Sequence, residues 1–124
     1  MQTPEERYMG FIKNNQYRVT KLEEDYCEVE ATITDTSMNP FGIAHGGYIF
    51  GLADTVAGTL AVTKGDAYTL DGSIDYLRPS TGKILTAKCR FLKSGKKVAR
   101  LEVEIYDENN KLTAKAKINY CYLD

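Results

Sequence analysis

The sequence has 124 residues with 16 basic and 17 acidic side chains, which gives a formal net charge of −1. This length predicts a single domain spanning residues 1–124, and the balanced charge argues against nucleic-acid binding. No stretch approaches the ~20 consecutive apolar residues of a membrane-spanning helix, and the N-terminus lacks the apolar segment of a signal peptide. We therefore expect a cytoplasmic protein that does not enter the membrane.

The cysteines and the single histidine give no metal-binding pattern. Cys27, Cys89 and Cys121 are far apart, odd in number and surrounded by strand-forming residues. Their spacing differs from that of zinc sites and of disulfide frameworks. We expect three reduced thiols that serve as small core residues in a reducing compartment, and no metal site.

A short helix is predicted at the N-terminus. Residues 3–6, Thr-Pro-Glu-Glu, have the form of a capping box with Thr3 as the N-cap and proline in the first helical position. The helix is expected to extend to about Lys13, and Asn14 and Asn15 are expected to end it. Its apolar side would consist of Tyr8, Phe11 and Ile12.

From Tyr17 onward the pattern changes to that of a strand. Residues 27–33 alternate apolar and polar side chains, with Cys, Val, Ala and Ile at the odd positions. A period of two is typical of a sheet with one dry face. A loop follows at residues 38–44, where Pro40 and Gly42 interrupt regular structure.

The longest predicted helix spans residue 46 to about residue 63. Its apolar residues recur at helical spacing and comprise Ile49, Leu52, Ala53, Val56, Ala57 and Leu60. Gly51 and Gly58 make the helix thin, at a cost of roughly 1 kcal/mol per interior glycine. We expect a sheet to wrap closely around it. Asp54 interrupts the apolar run, where a carboxylate costs free energy unless it is paired or used in chemistry.

Strands are predicted in the rest of the chain, at residues 68–77, 83–92, 97–106 and 112–122. Clusters of Gly, Pro, Ser, Asp and Asn separate them as turns. A short N-terminal helix, one long central helix and a mostly antiparallel meander together predict an α+β domain.

One nine-residue segment brings together several groups that carry chemistry, Asn39-Pro-Phe-Gly-Ile-Ala-His45-Gly46-Gly47. It places an amide, the only histidine and a glycine pair at the start of the long helix. The start of a helix offers unpaired N–H groups and the positive end of the helix dipole, which suit a developing oxyanion.

This segment, with Asp54 nine residues after His45, resembles the hotdog-fold acyl-CoA thioesterases. The likeness is to the phenylacetate-pathway branch of the 4-hydroxybenzoyl-CoA thioesterase superfamily, whose pattern is N-x-x-G-x-x-H-G-G followed by an acid on the same helix. Residues 76–79, Tyr-Leu-Arg-Pro, and residues 93–96, Lys-Ser-Gly-Lys, match the family's Y-x-x-P strand end and x-G-K turn. The resemblance covers about residues 20–122.

The resemblance implies a hotdog fold, in which a curved antiparallel β-sheet wraps around one long helix. It also implies composite active sites at a homodimer interface, often within a homotetramer. By position, it assigns the catalytic acid to Asp54, the oxyanion-binding amide to Gly46 and the polarising amide to Asn39. Thr69 matches a serine or threonine that assists in some members. Coenzyme A is then part of an acyl-CoA substrate, and no separate cofactor is implied.

Several of these positions also have a purely structural interpretation. Asn39 is a common turn former and Thr69 an ordinary strand residue. His45, which we include among the catalytic candidates, suits helix capping better than proton transfer. Asp71, a second acid in the strand after the helix, is expected to face solvent or a partner strand.

A second group of residues is expected to contact the substrate or its CoA portion. It comprises Gly47, Lys93, Gly95 and Lys96. The two lysines form a basic turn that would bind CoA phosphates or pantetheine. The alternative is a solvated hairpin, in which exposed charges contribute little.

Helix geometry gives a conclusion that does not depend on the family. Gly46 and Asp54 are eight residues apart, which corresponds to ~12 Å along a helix. A thioester carbonyl should lie ~3 Å from both the oxyanion donor and the attacking group. If both residues act on one substrate, Asp54 must come from a second subunit.

The leading functional hypothesis is hydrolysis of acyl-CoA thioesters to free acid and CoA, with Asp54 as base or nucleophile and the Gly46 N–H as oxyanion donor. The alternative is a non-catalytic hotdog protein that binds or senses acyl-CoA. A hotdog dehydratase is a third hypothesis. It is disfavoured because His45 precedes Gly46 and Gly47 instead of lying in an H-F-P-G-like loop.

Overall fold

The structure is a computed structural model that describes residues 4–123, with side chains from residue 9 onward. The predicted N-cap, Thr3, lies outside the described residues, as does the side chain of Tyr8. Helix α1 spans Pro4–Asn14, which confirms the predicted helix. Ile12 packs against the core, whereas Phe11 is 59% exposed because α1 lies at the rim of the fold.

One long helix and six strands follow. The strands are β1 (Tyr17–Glu23), β2 (Tyr26–Thr32), β3 (Ala67–Tyr76), β4 (Ile84–Ser94), β5 (Val98–Asp107) and β6 (Leu112–Tyr122), and the helix is α2 (Gly46–Ala61). The predicted strands are confirmed with small shifts at their ends. Helix α2 ends slightly before the expected position and continues as a 3-10 turn, Val62–Lys64.

All six strands form one antiparallel sheet in the order β1-β2-β4-β5-β6-β3. Helix α2 packs against every strand of this sheet. The expected hotdog arrangement, a sheet wrapped around one central helix, is therefore confirmed. Strands β1 and β3 are the two edge strands. Strand β3, which precedes the β4-β5-β6 meander in the chain, therefore has an open edge.

The core lies between the inner face of the sheet and α2. Alternate residues are buried in β2, β5, β6 and the first part of β4, as the period-two pattern predicted, whereas the edge strands β1 and β3 are largely exposed. The apolar side of α2 is buried against the inner strands. Leu52 and Leu60 of α2 are both fully buried, and burial of such a side chain contributes about 1.5–3 kcal/mol.

The two glycines inside α2 let tyrosine side chains of the sheet approach the helix. A Cβ atom at Gly51 would lie 2.8 Å from the hydroxyl of Tyr17, and one at Gly58 would lie 2.6 Å from the hydroxyl of Tyr120. Both distances are shorter than real Cβ contacts. The expectation of a thin helix closely wrapped by a sheet is confirmed at these two positions.

Neither described helix is long and apolar enough to cross a membrane. Within residues 4–123, no three His, Cys, Asp or Glu side chains are grouped so that they would hold a metal ion. Cys27 and Cys89 are buried and Cys121 is half-buried, and all three thiols are free.

Candidate active site

Helix α2 begins with a side-chain cap from His45. This residue has extended backbone angles (φ −64°, ψ 138°), and its Nδ1 accepts a hydrogen bond from the Gly47 N–H at 2.8 Å. An Nδ1 that accepts leaves the proton of the neutral ring on Nε2. The structure thus gives His45 the capping role that the sequence favoured, while a proton-transfer role stays a prediction.

The N–H of Gly46 is an unpaired donor at the start of α2. It has no acceptor among residues 4–123, whereas the Gly46 carbonyl accepts a hydrogen bond from the Tyr76 hydroxyl at 2.6 Å. The Tyr76 ring lies so close that a Cβ at Gly46 would be 3.3 Å from its hydroxyl. Gly46 therefore combines close access with a free N–H at the positive end of the helix.

Asn39 holds the loop that leads into α2. Its Oδ1 accepts hydrogen bonds from the N–H groups of Phe41, at 2.9 Å, and Ile43, at 3.4 Å. The side chain's Nδ2 has no hydrogen-bond partner among the described residues. Asn39 is thus both a turn former and an available hydrogen-bond donor.

Asn39 and Gly46 line the same groove, which has a volume of about 380 Å³. Tyr76, Arg78 and Ser80 from the segment at the end of β3 line its other side. The Ser80 hydroxyl is buried without a partner in the described part of the chain, a loss that water or a ligand would offset. The structure therefore brings together two of the predicted site residues in a groove with unused polar groups.

Asp54 lies further along α2, half-buried, with its carboxylate held by two hydroxyl groups. Its Oδ1 accepts hydrogen bonds from Thr69 Oγ1, at 2.8 Å, and from the Tyr120 hydroxyl, at 2.6 Å. Burial raises the pKa of Tyr120 well above its ordinary value, so the hydroxyl stays protonated and donates. Asp54 and Thr69, which the sequence could connect only through the family resemblance, are in direct contact.

The structure does not bring Gly46 and Asp54 together within one chain. Both lie in the continuous helix α2, so about 12 Å of helix separates them. The predicted site residues therefore fall into two separate groups. Asn39 and Gly46 form the first, and Asp54 with Thr69 forms the second.

The basic turn between β4 and β5 lies near the end of α2 opposite Gly46. Lys64, which follows α2, places its ammonium 5.7 Å from the centroid of the Phe91 ring in β4. Gly95 donates its N–H to Val98 O at 3.1 Å, and a Cβ there would lie 2.6 Å from that oxygen. The predicted hairpin is confirmed, and the role of Lys93, Gly95 and Lys96 in binding CoA stays a prediction.

Sequence reasoning missed Tyr120 as a member of the second group, in which it donates to Asp54. The sequence places this residue correctly on the inward face of β6 but gives no sign of its partner. The available signal was a tyrosine at the end of the inward-facing apolar residues of β6, where a buried hydroxyl would need a hydrogen-bond partner. Gly58 was recognised as a small helix residue, but not as the gap through which Tyr120 reaches Asp54.

Comparison with known proteins identifies the family. Residues 41–114 match the family model described as the thioesterase superfamily. The acyl-coenzyme A thioesterase PaaI of Escherichia coli is 31% identical over 98 residues, which cover 77% of this chain and 70% of that protein.

Two solved structures extend the similarity to the fold. The structure of Escherichia coli PaaI matches with a TM-score of 0.88 at 26% identity, covering 93% of this chain and 85% of that one. The smu.793 protein of Streptococcus mutans, bound to acetyl CoA, matches with a TM-score of 0.82 at 29% identity, covering 86% and 88%. The chain belongs to the thioesterase superfamily and is a PaaI-like hotdog thioester hydrolase.

Proposed function

We propose that this protein hydrolyses acyl-CoA thioesters to a free acid and CoA in composite sites formed by two copies of the chain. The observation that carries the proposal is the Asp54 carboxylate, which lies in an apolar helix and is held by two hydroxyl donors. The relatives support the substrate class, since PaaI is named an acyl-CoA thioesterase and smu.793 is described with acetyl CoA.

Asp54 supplies the attacking group in this proposal. As a general base it takes a proton from water while the water oxygen bonds to the thioester carbonyl carbon. The resulting oxyanion collapses, the C–S bond breaks, and the CoA thiolate takes up the proton. As a nucleophile, Asp54 would instead form an acyl anhydride with release of CoA, and water would then hydrolyse that anhydride. Both routes use the free oxygen Oδ2.

Gly46 and Asn39 stabilise the oxyanion. The unpaired Gly46 N–H is fixed at the start of α2 and needs no reorganisation when charge develops on the carbonyl oxygen. Asn39 lines the same groove, and its unpaired Nδ2 offers a second donor. Removal of one donor of this kind typically reduces turnover by ~10²–10³.

The second copy supplies the Asp54 that acts at a given Gly46. Strand β3 supports pairing of two chains, because it forms a ten-residue edge whose outer side has no partner in the described chain. Tyr68 and Leu70 on this strand are about half exposed. A long edge with apolar residues is a template for pairing with another strand. We propose a dimer through β3, and pairing of dimers into a tetramer stays a prediction.

A protein that only binds acyl-CoA would have no use for the Asp54 arrangement. Two donors are spent on one carboxylate oxygen, and no cation in the described chain forms an ion pair with it. A binding site for a thioester gains nothing from a half-buried carboxylate, which carries a desolvation cost. Hydrolysis therefore accounts for the geometry better than binding does.

Release of free thiol from a panel of acyl-CoAs tests the proposal. We expect Asp54→Asn to reduce kcat by ~10²–10⁴, because the amide neither takes a proton nor attacks the carbonyl. Asp71→Asn is the matched control, since Asp71 is exposed and bonds to Asn119 Nδ2 at 2.6 Å. Wild-type activity in Asp54→Asn, or equal losses in both variants, would remove Asp54 from the mechanism.

A further inference from the structure

We propose that Tyr120 is a positioning residue that orients the Asp54 carboxylate for catalysis, and that Gly58 is the position that gives it access. This inference rests on the proposed function, in which Asp54 acts on the thioester. Tyr120 does not need to touch the substrate, because its effect passes through Asp54.

The register of the sheet fixes the two hydroxyl donors next to each other. Thr69 of β3 pairs directly with Tyr120 of β6, and both side chains donate to Oδ1 of Asp54. A carboxylate oxygen has about two lone-pair positions, so these donors fill the capacity of Oδ1. Oδ2 has no partner among the described residues and is left as the oxygen that acts on water or the thioester.

Tyr120 fixes this orientation more firmly than Thr69 does. Its ring is buried, whereas Thr69 lies on an exposed edge strand. The Tyr120 hydroxyl also lies 2.8 Å from the backbone carbonyl oxygen of Asp54, so one group contacts both the main chain and the side chain of the acid. The side chains that hydrogen-bond to the Tyr120 hydroxyl are Asp54 and Thr69, and the Cys89 thiol of β4 acts on it only electrostatically.

Gly58 makes this contact possible. It follows Asp54 by one turn of α2 and lies on the same side of the helix. A Cβ at Gly58 would lie 2.6 Å from the Tyr120 hydroxyl oxygen and 3.2 Å from the adjoining ring carbon. Alanine would improve helix propensity but would push the hydroxyl away from Asp54. Helix stability and carboxylate positioning therefore make opposite demands at this residue.

The test compares Tyr120→Phe and Gly58→Ala with Tyr122→Phe as the matched control. Tyr122 is on the same strand and donates to the α2 carbonyl of Ala61 at 3.0 Å, without contact to Asp54. We expect both test variants to lower kcat by about 10- to 100-fold, with KM changed by less than about twofold. Tyr122→Phe should leave both quantities unchanged.

Asp54→Asn in the same assay separates this inference from the proposed function. Wild-type kcat in Tyr120→Phe, together with an inactive Asp54→Asn, would overturn the positioning role alone. An active Asp54→Asn would overturn both proposals. Equal losses in Tyr120→Phe and Tyr122→Phe would mean that any lost hydroxyl of β6 has this effect, which also overturns the positioning role. If Tyr120→Phe does not fold, Gly58→Ala decides by the same criteria.

Discussion

Substitution of Gly46 by proline removes the proposed oxyanion donor while keeping the helix. Gly46 is the first residue of α2, and proline is favoured at that position because its missing N–H is unpaired there anyway. The preceding His45 has φ −64° and ψ 138°, the extended conformation that a residue before proline prefers. Gly46→Ala is the matched control, since it adds the same Cβ next to Tyr76 but keeps the N–H.

The composite site predicts a definite recovery of activity when two inactive variants are combined. Gly46→Pro and Asp54→Asn are each expected to lose ~10²-fold or more on their own. After equal amounts are unfolded and refolded together, about half of the dimers contain one copy of each variant. One of the two sites in such a dimer has both residues intact. The thiol-release assay should therefore recover roughly one quarter of wild-type activity.

In a second mixture, the composite site predicts a loss of activity instead of a recovery. Refolding wild type with the double variant Gly46→Pro/Asp54→Asn leaves one defect in each site of the mixed dimer, so activity falls to about one quarter. A site contained in one subunit predicts about one half for this mixture and no recovery for the first. Absence of recovery in proven mixed dimers would refute the composite site.

Two further predictions concern the core. Burial raises the pKa of Cys27 to about 11 and that of Cys89 further, so these two thiols form little thiolate near neutral pH. Alkylation of the native protein should therefore modify Cys121 first. Similar alkylation rates at all three thiols, measured by mass spectrometry, would contradict this. Gly51→Ala should destabilise the protein by up to about 2 kcal/mol in urea unfolding, because its Cβ would displace the buried Tyr17 hydroxyl from the Tyr48 carbonyl. Gly10→Ala in α1, with nothing within 4 Å of its Cβ, should instead stabilise it by about 0.5–1 kcal/mol, and equal effects of the two would exclude the clash.

Most of the fold could be predicted because its determinants are local. The period-two pattern of residues 27–33 and the helical spacing of residues 46–61 each report which side is buried, and the structure confirms both. The order of the strands in the sheet does not follow from such patterns. It depends on contacts between distant segments, and the family resemblance implied only the general arrangement of one sheet around one helix.

In the site, too, the local features could be predicted from the sequence and the contacts between distant segments could not. The nine-residue segment ending at Gly47 places Asn39 and Gly46 in one groove because both belong to a single loop and helix start. Tyr120 lies 66 residues after Asp54 in the sequence, and no local pattern relates them. Its contact depends on the pairing of β3 with β6 and on the missing side chain of Gly58, which are both tertiary features.

A bulge in β3 determines which of its polar side chains reach the helix. Regular alternation would place Thr69 and Asp71 on the same face of the strand. The register with β6 shifts between them, so that Thr69 pairs with the inward Tyr120 and Asp71 with Asn119, which points the other way. A bulge adds one residue and reverses the alternation beyond it. Asp71 therefore binds Asn119 on the outer face, while Thr69 donates to Asp54. A second carboxylate beside Asp54 would compete for its donors and oppose its charge. The extra residue at Leu70 turns Asp71 to the outer face, so that the Thr69 hydroxyl of β3 reaches Asp54 and the Asp71 carboxylate does not.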